Sequence, residues 1–260
     1  MDAPPQVSAN SGTDSLRFDA GVLREQSNSV HKLPEASLVD RGSFLVDLSR
    51  GKTVVDLGFV DEGRMEMKLD EDQWLHARIA ATATSVVGID SNVQGVADAV
   101  ALGFTAYVAD CENVTALQKL RLPPADLVIA GELIEHLSNP GRFLDAVSTL
   151  VKPTGRLAIT TPNGLSLTNT LAGLMHREFV NPDHTNWQSW HTVATLLGRA
   201  GWTIERLAYY AFPTESLPPP RTPAERRRTK LFKGYLRAAY PLFKLRPGVA
   251  DGLIVVAGRT

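Results

Sequence analysis

Thr53-Val-Val-Asp-Leu-Gly-Phe-Val-Asp-Glu-Gly63 is an apolar run of strand length that closes on an aspartate and a glycine-containing turn. Two later stretches answer it: Val87-Gly-Ile-Asp90 and Ala125-Asp-Leu-Val-Ile-Ala-Gly-Glu-Leu-Ile-Glu-His136. A parallel strand buried on both faces reads as such a run and delivers its carboxyl end to a ligand crevice. Three runs in this order, the first two closed by acidic residues, point to a doubly wound α/β sheet that binds a nucleoside.

Working outward, residues 1–30 are Ser-, Asn-, Asp- and Gly-rich and read as a mobile tail. From Pro34 the spacing of Leu38, Val39, Phe44, Leu45 and Leu48 predicts a helix stopped at Gly51. Strand 53–57 follows, then a polar connection over 61–72, a helix near 73–84, strand 85–89, helix 92–102 and a strand near 105–108. Strand 126–130, helix 140–150 with proline in its first turn, strand 156–160, helix 189–200, strand 202–210 and a last strand at 252–257 complete the alternation. The expected division is a core at 31–212, an insertion at 213–247 and the final core strand within 248–260. Residues 221–246 are basic (Arg226, Arg227, Arg228, Lys230, Lys233, Arg237, Lys244, Arg246) with Leu231, Phe232, Tyr235, Leu236, Tyr240 and Phe243 interleaved at helical spacing. That is a basic amphipathic helix: a lid over the site, a patch for an anionic or lipid-linked acceptor, or a solvated face with ordinary packing beneath.

Bulk properties narrow the class. The 260 residues suit one large α/β domain. Lys+Arg 27 against Asp+Glu 28 leave a net charge of −1, so bulk attraction to nucleic acid is not expected. A single cysteine, Cys111, forms no internal disulfide and fits a reducing compartment. Without a signal-like start or an 18-residue apolar run, the expectation is a cytoplasmic protein.

Chemistry is expected at the strand ends. Gly58 permits a sharp turn after the first strand, and Gly63 follows, but Val60 stands where a dinucleotide fingerprint needs its middle glycine. Asp56 repels a pyrophosphate and suits a ligand carrying an ammonium group, which counts further against NAD. Asp90 can accept hydrogen bonds from two ribose hydroxyls, or cap the helix after Ser91 and Asn92. Asp110 can reach an adenine amino group.

The motifs D-L-G-x-x-x-x-G (56–63), G-I-D (88–90), A-D-C (109–111) and A-D-L-V-I-A-G-E-L-I-E-H-L (125–137) together resemble the class I S-adenosylmethionine-dependent methyltransferases. Within them, the closest likeness is to the small-molecule O-methyltransferase branch that includes the ubiquinone-biosynthesis enzymes. The likeness covers roughly residues 50–210. It implies a three-layer Rossmann-like sheet of seven strands, the last antiparallel, and S-adenosylmethionine as cofactor. Asp56 and Gly58 would line its methionine part, Asp90 the ribose, and Asp110 with Cys111 the adenine; Gly63, Ser91 and Gly131 complete the expected cofactor-binding set. The chain departs from the family pattern at the glycine loop, and in the long stretch before Asp90.

Glu132, Glu135 and His136 are spaced to share a short helix, with Glu132 and His136 on one face. The cofactor brings the activation, so the protein must align the acceptor oxygen and take its proton; a histidine suits that role. The same three side chains form an alternative set for a divalent ion such as Mg²⁺. Thr160-Thr-Pro-Asn163 resembles a family loop beside the acceptor, and His184 lies in a connection where relatives carry acceptor-site residues. His191 belongs with the following helix, and His76 reads as packed or exposed rather than facing the cofactor. The resulting expectation is O-methylation of a small-molecule or sugar-containing metabolite. Its rivals are a nicotinamide-dependent oxidoreductase, disfavoured by Asp56 and Val60, and a non-catalytic protein that binds the same cofactor.

Overall fold

The computed structural model describes residues 31–61, 65–212, 214, 217 and 220–260, so the expected tail (1–30) and Gly63 lie outside the described residues. The central sheet contains β1 (Ser37–Leu38), β2 (Thr53–Leu57), β3 (Ser85–Asp90), β4 (Ala106–Val108), β5 (Ala125–Gly131), β6 (Val151–Pro162), β7 (Trp202–Tyr210) and β8 (Gly252–Arg259). Their spatial order is β1-β7-β8-β6-β5-β2-β3-β4. β8 runs antiparallel to both β6 and β7, and the other pairings are parallel. The expected sheet with an antiparallel last strand is therefore present, widened to eight strands by the two-residue β1 at its edge.

The helices are α1 (Arg41–Ser49), α2 (Met65–Asp70), α3 (Leu75–Ala80), α4 (Val93–Ala101), α5 (Val114–Lys119), α6 (Pro140–Val147), α7 (Leu167–Leu174), α8 (Trp190–Arg199) and α9 (Pro223–Leu245). The middle layer is buried from both sides, as the uninterrupted apolar runs require. On β5, Leu127 and Ile129 pack with Leu45 of α1 and Ile79 of α3. Val128 and Ala130 point the other way, toward Phe143 and Leu144 of α6 and Val193 and Leu197 of α8. Each such fully buried Leu or Ile contributes roughly 1.5–3 kcal/mol.

Local chemistry sets the boundaries. Asn139 accepts from the Arg142 N–H at 3.0 Å, and Pro140 opens α6 where its missing N–H costs nothing. Ser189 and Thr192 close a reciprocal cap on α8. Two expected elements differ. The helix read from Pro34 starts only at Arg41, because Asp40 caps it through the Ser43 N–H at 2.8 Å, and Ser37–Leu38 pair with β7 instead. The polar connection 61–72 contains α2, whose Met65 is buried against Phe59 and Trp74.

α9 is the expected basic helix. Leu236, Ala239 and Phe243 are buried, and Phe232 and Tyr235 pack against the same core. Leu231 and Tyr240 stay exposed, so only part of the apolar stripe packs.

Candidate active site

Parallel strands bring β2, β3, β4, β5 and β6 to one edge of the sheet with their carboxyl ends together, and the candidate site lies there. A cavity of about 570 Å³ is lined by Asp56, Gly58, Gly131, Glu132, Glu135, His136 and His184. Asp90, Ser91, Asp110 and Cys111 sit at the neighbouring ends of β3 and β4, outside that lining.

Gly58 turns the chain after β2 with φ +67°, and a Cβ there would lie 2.9 Å from Leu133 Cδ1. The positive φ is what favours glycine here, since the Leu133 methyl can shift. The loop's departure from a glycine-rich pattern has a local compensation. Val60 places Cγ1 only 2.3 Å from where Gly95 of α4 would carry a Cβ, and the Phe59 ring lies 2.7 Å from the same point at Gly88. Two glycines on the neighbouring strand and helix thus admit the side chains that the loop itself carries. The Val60 N–H then donates to Asp90 Oδ2 at 3.1 Å, while Asn92 N–H donates to Oδ1 at 2.9 Å. Asn92, not Asp90, caps α4, accepting from the Gly95 N–H at 2.8 Å.

Asp56 is buried, and its Oδ2 lies 2.8 Å from His76 Nδ1. His76 is therefore packed, as expected, yet it also lines the cavity; its Nε2 is buried without a partner. Phe59, Trp74 and Phe104 surround the imidazole at ring-centroid distances of 4.5, 5.4 and 5.4 Å.

The expected helical trio of Glu132, Glu135 and His136 does not form. Glu132 sits just beyond β5 with φ +54°, a sparsely populated conformation for a residue with a Cβ, and only Ile134–His136 make a 3-10 turn. The kink sends the side chains apart. Glu132 Oε1 accepts from Thr160 Oγ1 at 2.9 Å and from the Tyr210 hydroxyl, and Arg41 Nε lies 3.8 Å away. Burial, followed by the charge of Glu132, holds the Tyr210 phenol well above its usual range.

Glu135 and His136 instead meet His184. Thr185 N–H donates to the Glu135 carbonyl at 2.8 Å, Thr185 Oγ1 to that of Leu137 at 2.7 Å, and Asn186 Nδ2 to that of Ile134 at 3.0 Å. This stitching brings the His184 ring edge-on to His136, with centroids 4.7 Å apart. One ligating atom from each of Glu135, His136 and His184 lies within 4.8 Å of the other two. The alternative ion set of Glu132, Glu135 and His136 does not come together: Glu132 is committed elsewhere, and the side chain beside Glu135 and His136 is His184. Glu135 is 1% exposed, and neither carboxyl oxygen has a hydrogen-bond partner. Burial, then the Glu132 charge, raises it to about 8, which favours the neutral carboxyl over the carboxylate. Burial and the neighbouring His136 lower His184, which favours its neutral form.

The loop expected at Thr160–Asn163 is largely strand: Thr160, Thr161 and Pro162 are the last residues of β6, paired with β8, with Thr160 against Glu132 and Pro162 lining the cavity. His191 lies in α8. Burial raises the Cys111 thiol to about 12. Sequence reading missed Arg41, Thr160 and Tyr210 as a unit with Glu132, since they come from three distant elements. It also missed the aromatic lining of Phe179, Trp187, Phe212 and Phe232.

A family model for a methyltransferase domain matches residues 31–207. The chain belongs to the methyltransferase-domain family, and its fold is that of S-adenosylmethionine-dependent methyltransferases. It is 27% identical over 185 residues to the mitochondrial ubiquinone biosynthesis O-methyltransferase of Arabidopsis thaliana, covering 65% of this chain and 54% of that one. It is 34% identical over 79 residues to the ubiquinone biosynthesis O-methyltransferase of Rhodopseudomonas palustris, covering 30% and 31%. The chain thus spans about half the length of the first relative and a third of the second. Among solved structures, an S-adenosylmethionine-dependent methyltransferase from Archaeoglobus fulgidus matches with TM-score 0.50 at 15% identity, covering 83% of this chain and 89% of that one. The magnesium protoporphyrin IX methyltransferase of Synechocystis PCC 6803, solved with S-adenosylhomocysteine bound, gives 0.50 at 15% identity, covering 84% and 80%. No helix of the described residues is long and apolar enough to cross a membrane.

Proposed function

We propose that this chain transfers a methyl group from S-adenosylmethionine to an oxygen of a small-molecule or sugar-containing acceptor. One observation carries the reading: a single cavity joins the ends of β2 and β5 to the Glu135–His136–His184 cluster and to an aromatic wall. What supports the cofactor is the tight glycine turn at Gly58, whose φ is positive, and the carboxylate of Asp90 at the end of the neighbouring strand, which would accept from ribose hydroxyls. Asp56, Gly58, Gly131 and Arg41 would hold the methionine end; Asp90, Ser91, Asp110 and Cys111 would hold the adenosine. The bound cofactor supplies a methyl group activated by its sulfonium. His136 takes the acceptor proton, His184 packs edge-on against it and orients it, and the aromatic wall excludes water from the acceptor.

A second reading of the same cluster is favoured by the two unpartnered oxygens of Glu135. Glu135, His136 and His184 would hold a divalent ion, and their imidazoles suit a first-row transition ion better than Mg²⁺.

The test is transfer of a labelled methyl group to hydroxyl-bearing aromatic and sugar acceptors, with and without EDTA. An alkali-stable O-methyl product formed equally in EDTA is the expected result. Methylation only at nitrogen or carbon would refute the oxygen assignment, and loss of activity in EDTA would favour the ion.

A further inference from the structure

A second concave site of about 680 Å³ lies beside the first, between the start of α1, α2, α3 and α9. The two share Arg41, Asp61, Lys68, Leu75 and Phe212, so they are continuous. Five cationic side chains face the second site: Arg41, Lys68, Arg78, Lys233 and Arg237. Two carboxylates, Asp40 and Asp61, oppose them. Lys68 is paired with Asp61, and Arg41 is drawn toward Glu132. Asp40 spends one oxygen capping α1, although the charge of Arg78 also acts on it. Lys233 and Arg237 make no ion pair with a described residue and are exposed. They stand four residues apart on α9, where like charges repel along one face of the helix. A chain of net charge −1 has therefore gathered unpaired cations from two elements around one groove.

Resting on the methyltransferase reading above, we propose that this groove binds a phosphorylated end of the acceptor, a phosphate monoester or diphosphate, while the acceptor's hydroxyl lies in the first cavity. Guanidinium groups match phosphate oxygens in a fork, and ammonium groups add point charge. Cations converging from α3 and α9 suit a group of charge two or more better than a lone carboxylate. The volume is that of a small-molecule site, and its concavity favours a soluble ligand over a flat membrane surface.

Calorimetric titration of the full chain with inorganic pyrophosphate at low salt tests this, alongside the double substitution Lys233→Gln/Arg237→Gln. Both positions are exposed, so the variant should fold. The expected result is pyrophosphate binding that weakens about tenfold or more in the variant, with S-adenosylhomocysteine affinity unchanged. Absent pyrophosphate binding, or equal binding by both proteins, overturns the proposal. A variant that loses only its binding to phosphatidylglycerol-containing phosphatidylcholine vesicles overturns it as well, and assigns the cations to a membrane surface. If S-adenosylhomocysteine fails to bind while pyrophosphate binding persists, the methyltransferase reading fails, and the groove is an anion site without an acceptor role.

Discussion

Replacing His136 with alanine should slow methyl transfer about 10²–10⁴-fold, the range expected when a positioned general base is removed. S-adenosylhomocysteine should still bind within about twofold, because Asp90 and Gly58, which lie on other strand ends, are untouched. The expectation rests on position. His136 ends the 3-10 turn after β5, and the Thr185 and Asn186 hydrogen bonds fix His184 against its ring. Changing His184 to alanine should cost less, since it acts through His136. Measuring turnover and product affinity on the same preparation separates the roles. Equal turnover in wild type and His136→Ala would remove this residue from the mechanism.

The second large effect is on stability. Glu135 is buried, lacks a hydrogen-bond partner and titrates at about 8, well above the roughly 4.3 of an unfolded glutamate. The folded chain thus holds this proton more tightly than the unfolded chain. The stabilisation linked to the neutral form is complete below about pH 4 and is lost as pH rises through about 8. Glu135→Gln keeps the neutral shape and removes the ionisation. Its melting temperature relative to wild type should therefore climb between pH 5 and pH 8.5, by an amount corresponding to roughly 2–5 kcal/mol. For a domain of this size that is about 2–4 °C per kcal/mol. A difference that stays flat with pH would mean that Glu135 is ionised and paired in the folded chain.

Much of this was legible in the sequence because it depends on short-range pattern. The apolar runs read as strands at 53–57, 85–89 and 126–130 are strands, each within one residue of its bounds, and they bring Asp56, Asp90 and Glu132 to one edge of the sheet. Strand 202–210 was legible to the residue from its own apolar and aromatic side chains directly after the helix stop at Gly201. What failed was local conformation at single residues. The spacing of Glu132, Glu135 and His136 fits a helix, yet the left-handed φ of Glu132 divides them between two clusters. No periodicity reports a positive φ in a non-glycine residue. The compensation of Val60 by Gly95 was equally hidden, since the two meet only after β3 has paired beside β2. Arg41 belongs to an element that the pattern began too early, so its approach to Glu132 and Thr160 could not be foreseen.

The most direct test of the account is calorimetric titration of wild type and Asp90→Ala with S-adenosylmethionine and S-adenosylhomocysteine, with NADH as control. Wild type should bind the sulfonium S-adenosylmethionine and its thioether product S-adenosylhomocysteine with micromolar affinity and ignore NADH. Asp90→Ala should lose about 1–3 kcal/mol of that affinity through lost hydrogen bonds to a charged acceptor. Binding of NADH alone, or of neither ligand, would contradict the assignment of this strand edge to S-adenosylmethionine.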